Sequence, residues 1–131
     1  MKDFRKLIVW EKAHQLTLKV YKITEDFPRE ELYGLTSQIR RAVTSIPTNI
    51  AEGCVRSSDA DFARFLYIAL GSTSELEYLM LLGKDLKFIK NELYIESNND
   101  FNEIKKMLIS MIQKLKALCL QLKAKKIDFN A

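Results

Sequence analysis

At 131 residues the chain has room for one domain and little room for two. Its 47% hydrophobic and 29% charged residues are a globular balance, and a chain of this size buries a core without disulfide or metal staples. The formal charge of +4 is unevenly placed: from Ile104 to Ala131, Lys105, Lys106, Lys114, Lys116, Lys123, Lys125 and Lys126 face one acid, Asp128, so this segment carries +6 and the rest −2.

Four glycines, two prolines and few strand-like segments favour an all-α fold. Cys54 and Cys119 stand far apart and form no CxxC, which argues against a disulfide framework and a zinc site and suits a reducing cytosol. The start, "MKDFRKLIVWEKAH", has charges on both sides of a short apolar run and lacks a signal-peptide core. No run of about 18 apolar residues exists, so no membrane span is expected and the protein is placed in the cytoplasm.

The first helix is expected from Lys6 to Asp26, because Val9, Ala13, Leu16, Val20, Ile23 and Phe27 recur at spacings of four and three. A second helix is expected from Glu30 to Cys54, with Leu35, Ile39, Ala42, Ile46, Ile50 and Gly53 on its core stripe. Pro47 lies in its body, cannot donate to the carbonyl of Val43, and should kink the helix there. Beside that core runs a polar stripe of Arg41, Ser45, Thr48, Glu52 and Arg56.

Ser58 followed by Asp61 resembles a capping box opening a third helix, expected from about Asp59 to Lys90 with fraying near Gly83. Its main face is Phe62, Leu66, Ala69, Thr73, Leu76 and Met80, yet Phe65, Tyr67, Ile68, Tyr78, Leu79, Leu81 and Leu82 spread apolar surface round the other sides. A helix apolar all round is buried all round, so a second subunit is expected to cover the surplus. "NELYIESNND" reads as the last connection, with Ser97 or Asn98 capping a fourth helix from Asp100 to Lys125. There Phe101, Ile104, Leu108, Met111, Leu115, Leu118 and Leu122 keep a 3-4 spacing over three heptads. Residues 126–131 read as a flexible tail. Four amphipathic helices with short links predict an up-down-up-down four-helix bundle.

The chemistry of the polar groups leaves two readings of the second helix. In one, Arg40 or Arg41 pairs with an acid of the third helix, such as Glu75, which lies among Ile68, Leu79 and Leu82. In the other, Arg40, Arg41 and Asn49 bind phosphate or another ligand. The first is preferred because Glu52, Glu75 and Glu77 offset the arginines. A single histidine, His14, argues against di-iron and most His-based metal sites. His14 could accept a phosphoryl group, but it stands one and two helical turns from Trp10 and Tyr21, a packed setting. "GSTSELE" offers hydroxyls without an activating base, and no phosphate-binding glycine pattern occurs. No enzyme activity, metal or cofactor is expected.

Three long stretches carry a family resemblance: "LIVWEKAHQLTLKVYKIT", "FPREELYGLTSQIRRAVTSIPTNIAEG" and "FARFLYIALGSTSELEYLM". They resemble the four-helix-bundle proteins encoded in intervening sequences of bacterial 23S ribosomal RNA genes, over about residues 4 to 122. The resemblance implies a bundle assembling as a ring of five subunits. It also implies kinship in fold with the accessory protein of diversity-generating retroelements, a basic pentamer that binds nucleic acid and works with a reverse transcriptase. The family's pattern falls on Arg40, Arg41, Asn49, Glu52, Gly53, Glu75 and Glu77. The leading functional expectation is a non-enzymatic homo-oligomer that binds RNA or a ribonucleoprotein through Lys105, Lys106, Lys114, Lys116, Lys123, Lys125 and Lys126, with Arg64 of the third helix as a further candidate. A scaffold docking a partner enzyme without touching nucleic acid, and a phosphotransfer module on His14, are the alternatives.

Overall fold

The computed structural model describes residues 2–130, with side chains through Lys126. Four helices account for most of it: α1 (Ile8–Thr24), α2 (Leu35–Cys54), α3 (Asp59–Asp85) and α4 (Asn91–Asn130). Short 3-10 turns at Phe4–Lys6 and Arg29–Glu31 precede α1 and α2, and no strand occurs among the described residues. All six positions expected on each of the faces of the first three helices are buried, and all of them except Gly53 and Thr73 share one hydrophobic core with Phe101, Ile104, Leu108, Ile112 and Leu115 of α4.

The structure answers the question posed by Pro47. α2 runs through it without a break, and the proline ring is buried. The carbonyl of Val43, which the proline cannot serve, lies 3.3 Å from the Thr17 hydroxyl of α1; that hydroxyl also donates to Ala13 O at 2.8 Å and shares its one proton between them. An internal proline costs about 3 kcal/mol and an unmet buried carbonyl about 1–3. Thr17 offsets part of that from the neighbouring helix.

Gly53 sets the approach of α2 to α3. A Cβ there would stand 2.8 Å from the Phe62 ring and 3.1 Å from Phe65 Cβ. Ser45 and Ser72 hydroxyls meet across the same pair of helices at 2.8 Å. α3 opens as its sequence suggests, with the Ser58 hydroxyl accepting from Asp61 N at 3.1 Å.

Its other end departs from expectation. α3 stops at Asp85 rather than Lys90, because Lys87 takes φ 66° and closes the helix. Phe88 N donates to Gly83 O and Lys87 N to Lys84 O, both at 2.9 Å, the paired bonds of a Schellman ending. α4 then begins at Asn91, so "NELYIESNND" is helix and not connection. Ser97, expected as a cap, is fully buried inside it, and its hydroxyl has no partner among the described residues. At 40 residues α4 is about 60 Å long, against about 40 Å for the 27 residues of α3. Its backbone remains helical through the stretch expected as a tail, as far as Asn130; Ala131 lies outside the described residues.

Candidate nucleic-acid interface

The helical rise carries the last third of α4 past the buried core, whose last α4 residue is Leu115. Leu108 and Leu115 are buried, whereas Leu118, Leu120 and Leu122 are 47%, 67% and 57% exposed. The heptad continues in sequence, but among the described residues only the start of α3, from Ala60 to Tyr67, lies beside it, across an open cleft. Along that end Lys114, Lys116, Lys123, Lys125 and Lys126 are all exposed, and so is Lys106 nearer the core. Rotating by about 100° per residue puts Lys116 and Lys123 on the flank toward α3, Lys114 and Lys125 on the opposite flank, and Lys126 at the azimuth of the core itself. The lysines therefore occupy three sides of the projecting end rather than forming one stripe.

Two of the seven sequence candidates are engaged inside the chain. Lys105 is part-buried, and its ammonium donates to Glu77 Oε2 at 2.6 Å, joining α4 to α3. Lys116 places its Nζ 5.0 Å from the centre of the Tyr67 ring. Arg64 on α3 is held by Asp61 at 2.9 Å and lies over Phe65. With Lys116 and Lys123, it rims an apolar cleft of about 460 Å³ between α3 and α4.

The polar groups of α2 take partners that the sequence does not reveal. Arg40 does not reach an acid among the described residues. Its Nε donates to Thr24 Oγ1 at 2.9 Å, a second N–H reaches Tyr21 O at 3.4 Å, and the guanidinium lies 4.8 Å from the Tyr21 ring centre. The group serves the carboxyl end of α1, where a cation opposes the negative end of the helix dipole. Arg41 is exposed and makes no ion pair among the described residues. Asn49 Nδ2 donates to Ser45 O and Ser45 Oγ, at 2.8 and 2.9 Å. Among the described residues Glu52 has only a loose contact with Arg56, at 3.8 Å.

Glu75 corrects the expectation directly. It is exposed, and no ion pair to it occurs among the described residues, because the face it shares with Ile68 is itself open to solvent, with Ile68 41% exposed. The candidate polar set Arg40, Arg41, Asn49, Glu52, Glu75 and Glu77 is thus not one network: Arg40 reaches across to α1, Asn49 bonds within α2, Glu52 faces Arg56, Glu77 pairs with Lys105, and Arg41 and Glu75 lie on the surface.

Ion pairs missed in the sequence tie α1 to α4. Lys12 meets Glu103 at 2.7 Å, and Lys19 meets Glu96 and Asp100 at 2.7 and 2.9 Å. Burial pulls the Lys19 ammonium down, but hydrogen bonds to the two carboxylates outweigh it and hold its pKa above the ordinary value. No local spacing signals a pair separated by some eighty positions. His14 stacks on Trp10, with ring centres 5.0 Å apart and planes 8° from parallel. Burial raises the Cys54 thiol. No helix among the described residues is long and apolar enough to cross a membrane.

Fold and surface together define a small all-α protein of four helices whose longest helix carries a lysine-rich projecting end. The chain belongs to the 23S rRNA-intervening sequence protein family, whose model matches residues 5–110. It is similar to a protein of unknown function from the S23 ribosomal protein family of Bacteroides thetaiotaomicron, known from its crystal structure. The two are 35% identical over 80% of this chain and 98% of that one, with a TM-score of 0.73. No curated protein matches. The matched stretch contains Arg40, Arg41, Asn49, Glu52, Glu75, Glu77, Lys105 and Lys106; it ends before Lys114, so most of the basic end of α4 lies outside it.

Proposed function

We propose that the protein is a non-enzymatic, cytoplasmic homo-oligomer that binds RNA or a ribonucleoprotein through the basic ends of its α4 helices. The observation that carries this reading is the α4 end itself: exposed lysines on three sides of a helix that runs past the buried core, with no acid from Ile104 to Lys126. Lysines so disposed neutralise phosphates without reading sequence. Joining several such ends in one assembly multiplies a weak contact by effective concentration.

Within each subunit the helices run up-down-up-down. Supporting this, Thr17 meets Val43 while Thr24 meets Arg40, Ser45 meets Ser72, and Lys105 meets Glu77 while Lys116 meets Tyr67. Assembly, as a ring of five in keeping with the resemblance, is supported by a stripe on α3. Tyr67, Gly71, Ser74, Tyr78 and Leu81 follow one another at spacings of four and three. Tyr67, Tyr78 and Leu81 are 43%, 61% and 37% exposed. Phe65 and Leu79, by contrast, are covered within the chain. Gly71 has no heavy atom within 4 Å of where its Cβ would lie, so no contact in the chain requires a glycine that costs about 1 kcal/mol in a helix interior. Close approach of another helix supplies the reason.

The test is the binding of a structured RNA hairpin by the protein and by a variant carrying alanine at Lys114, Lys123, Lys125 and Lys126. The variant is expected to bind at least tenfold more weakly at low salt and with a shallower salt dependence. Equal affinity and equal slope would contradict the reading.

A further inference from the structure

The outward face of α2 carries a second feature. A groove of about 710 Å³ runs along it, bordered by Tyr33 at one end and Glu52 at the other. Arg40 and Arg41 stand in its wall. Arg40 is oriented by Thr24, by the Tyr21 carbonyl and by the Tyr21 ring, and these contacts leave other guanidinium N–H groups uncommitted. Arg41 is exposed and has no acid partner among the described residues. The one carboxylate lining the groove, Glu52, is at the far end beside Arg56.

The floor is rich in hydroxyls that act as acceptors. Thr44 and Thr48 donate their protons back to the carbonyls of Arg40 and Thr44, at 2.6 and 2.8 Å, which leaves their oxygen lone pairs outward. Thr36 lines both this groove and an adjoining one; it is 3% exposed, and its hydroxyl has no hydrogen-bond partner among the described residues. A buried hydroxyl without a partner is a cost the fold alone does not explain. At the mouth stands Tyr33, 93% exposed. An aromatic ring with almost its whole surface in water packs on nothing in the chain.

A pair of guanidinium groups, a floor of acceptors and a free aromatic face suit one kind of ligand: a charged phosphodiester with an attached hydroxylated sugar and an unstacked base. We propose that the α2 groove is a single-stranded RNA site, with Arg40 and Arg41 on the backbone phosphates and Tyr33 stacking a base. This rests on the reading of the protein as an RNA binder, and adds a contact that distinguishes unpaired from paired RNA. The α4 lysines have no means of making that distinction.

The test measures fluorescence anisotropy of a short labelled oligouridylate and of a fully base-paired RNA hairpin, using the full chain and three variants: Tyr33→Ala, Arg41→Ala and the four-lysine α4 variant. Tyr33 and Arg41 make no contact on which the fold depends, so both single variants keep the circular dichroism of the parent. Each is expected to weaken oligouridylate binding about tenfold and hairpin binding less than twofold. Arg41→Ala should reduce the salt slope by about 1, and Tyr33→Ala should leave it unchanged. If both single variants bind oligouridylate as the parent does while the α4 variant fails, the groove proposal is overturned and the α4 reading stands. If the single variants fail and the α4 variant binds normally, the groove stands and the α4 reading falls. If oligouridylate binding is lost only together with a fall in molar mass by light scattering, the groove joins copies of the chain, and the proposal is overturned.

Discussion

Thr17 shows how much one hydroxyl can carry. It sits where α1 passes the carbonyl that Pro47 leaves unserved, so its value depends on the proline. Thr17→Val should cost about 1–2 kcal/mol in denaturant unfolding, by stranding Val43 O. In a Pro47→Ala background an amide returns to that carbonyl, and the same change should cost less than half as much. Equal costs in both backgrounds would remove Thr17 from the account of the proline. Lys19 gives a second residue-scale expectation. Its folded pKa lies above the ordinary 10.5, so the stabilisation from Glu96 and Asp100 is complete below that pH and fades as the pH climbs through the folded value. The difference in Tm between the protein and Lys19→Met should therefore hold steady through neutral and mildly alkaline pH and shrink only above about 10.5. Neither contact can be read from local sequence. Thr17 is an ordinary helical threonine until Pro47 is placed beside it, and Arg40 looks like a partner for acids until Tyr21 and Thr24 come near.

At the scale of elements, periodicity predicts faces better than ends. The core stripes of the first three helices were legible because burial imposes a spacing that each helix must satisfy by itself. The end of α3 was not, because a lysine rather than a glycine takes the left-handed position at residue 87. The Ser-Asn-Asn run at 97–99, which looks like a cap, is carried inside a helix that starts six residues earlier, at Asn91. α4 also shows where pattern outruns packing. Leu108 and Leu118 belong to the same heptad stripe, yet one is fully buried and the other 47% exposed. Leu108→Ala should lower stability by about 2–5 kcal/mol and Leu118→Ala by under 1, measured by urea unfolding. Comparable losses would mean that the end of α4 is packed after all. Of the candidate interface, the lysine cluster was legible from charge alone. The pairing of Lys105 with Glu77 was not, since it joins positions 28 apart.

For the whole molecule, the balance of surfaces decides the behaviour. The chain buries one core and still presents Tyr67, Tyr78 and Leu81 on one helix face and three leucines on the projecting end of another. Apolar surface of that kind is covered by association. On the proposed reading, association would bring the basic ends of α4 together into one cationic surface, and its RNA affinity should fall steeply with salt. Both halves of this account meet in a single quantity, the molar mass in solution by light scattering, taken with and without a structured RNA at low salt. The account predicts a mass several times the 15.2 kDa of one chain, rising by the mass of bound RNA when RNA is added. A mass that stays at 15.2 kDa at high protein concentration, unchanged by RNA, would contradict it.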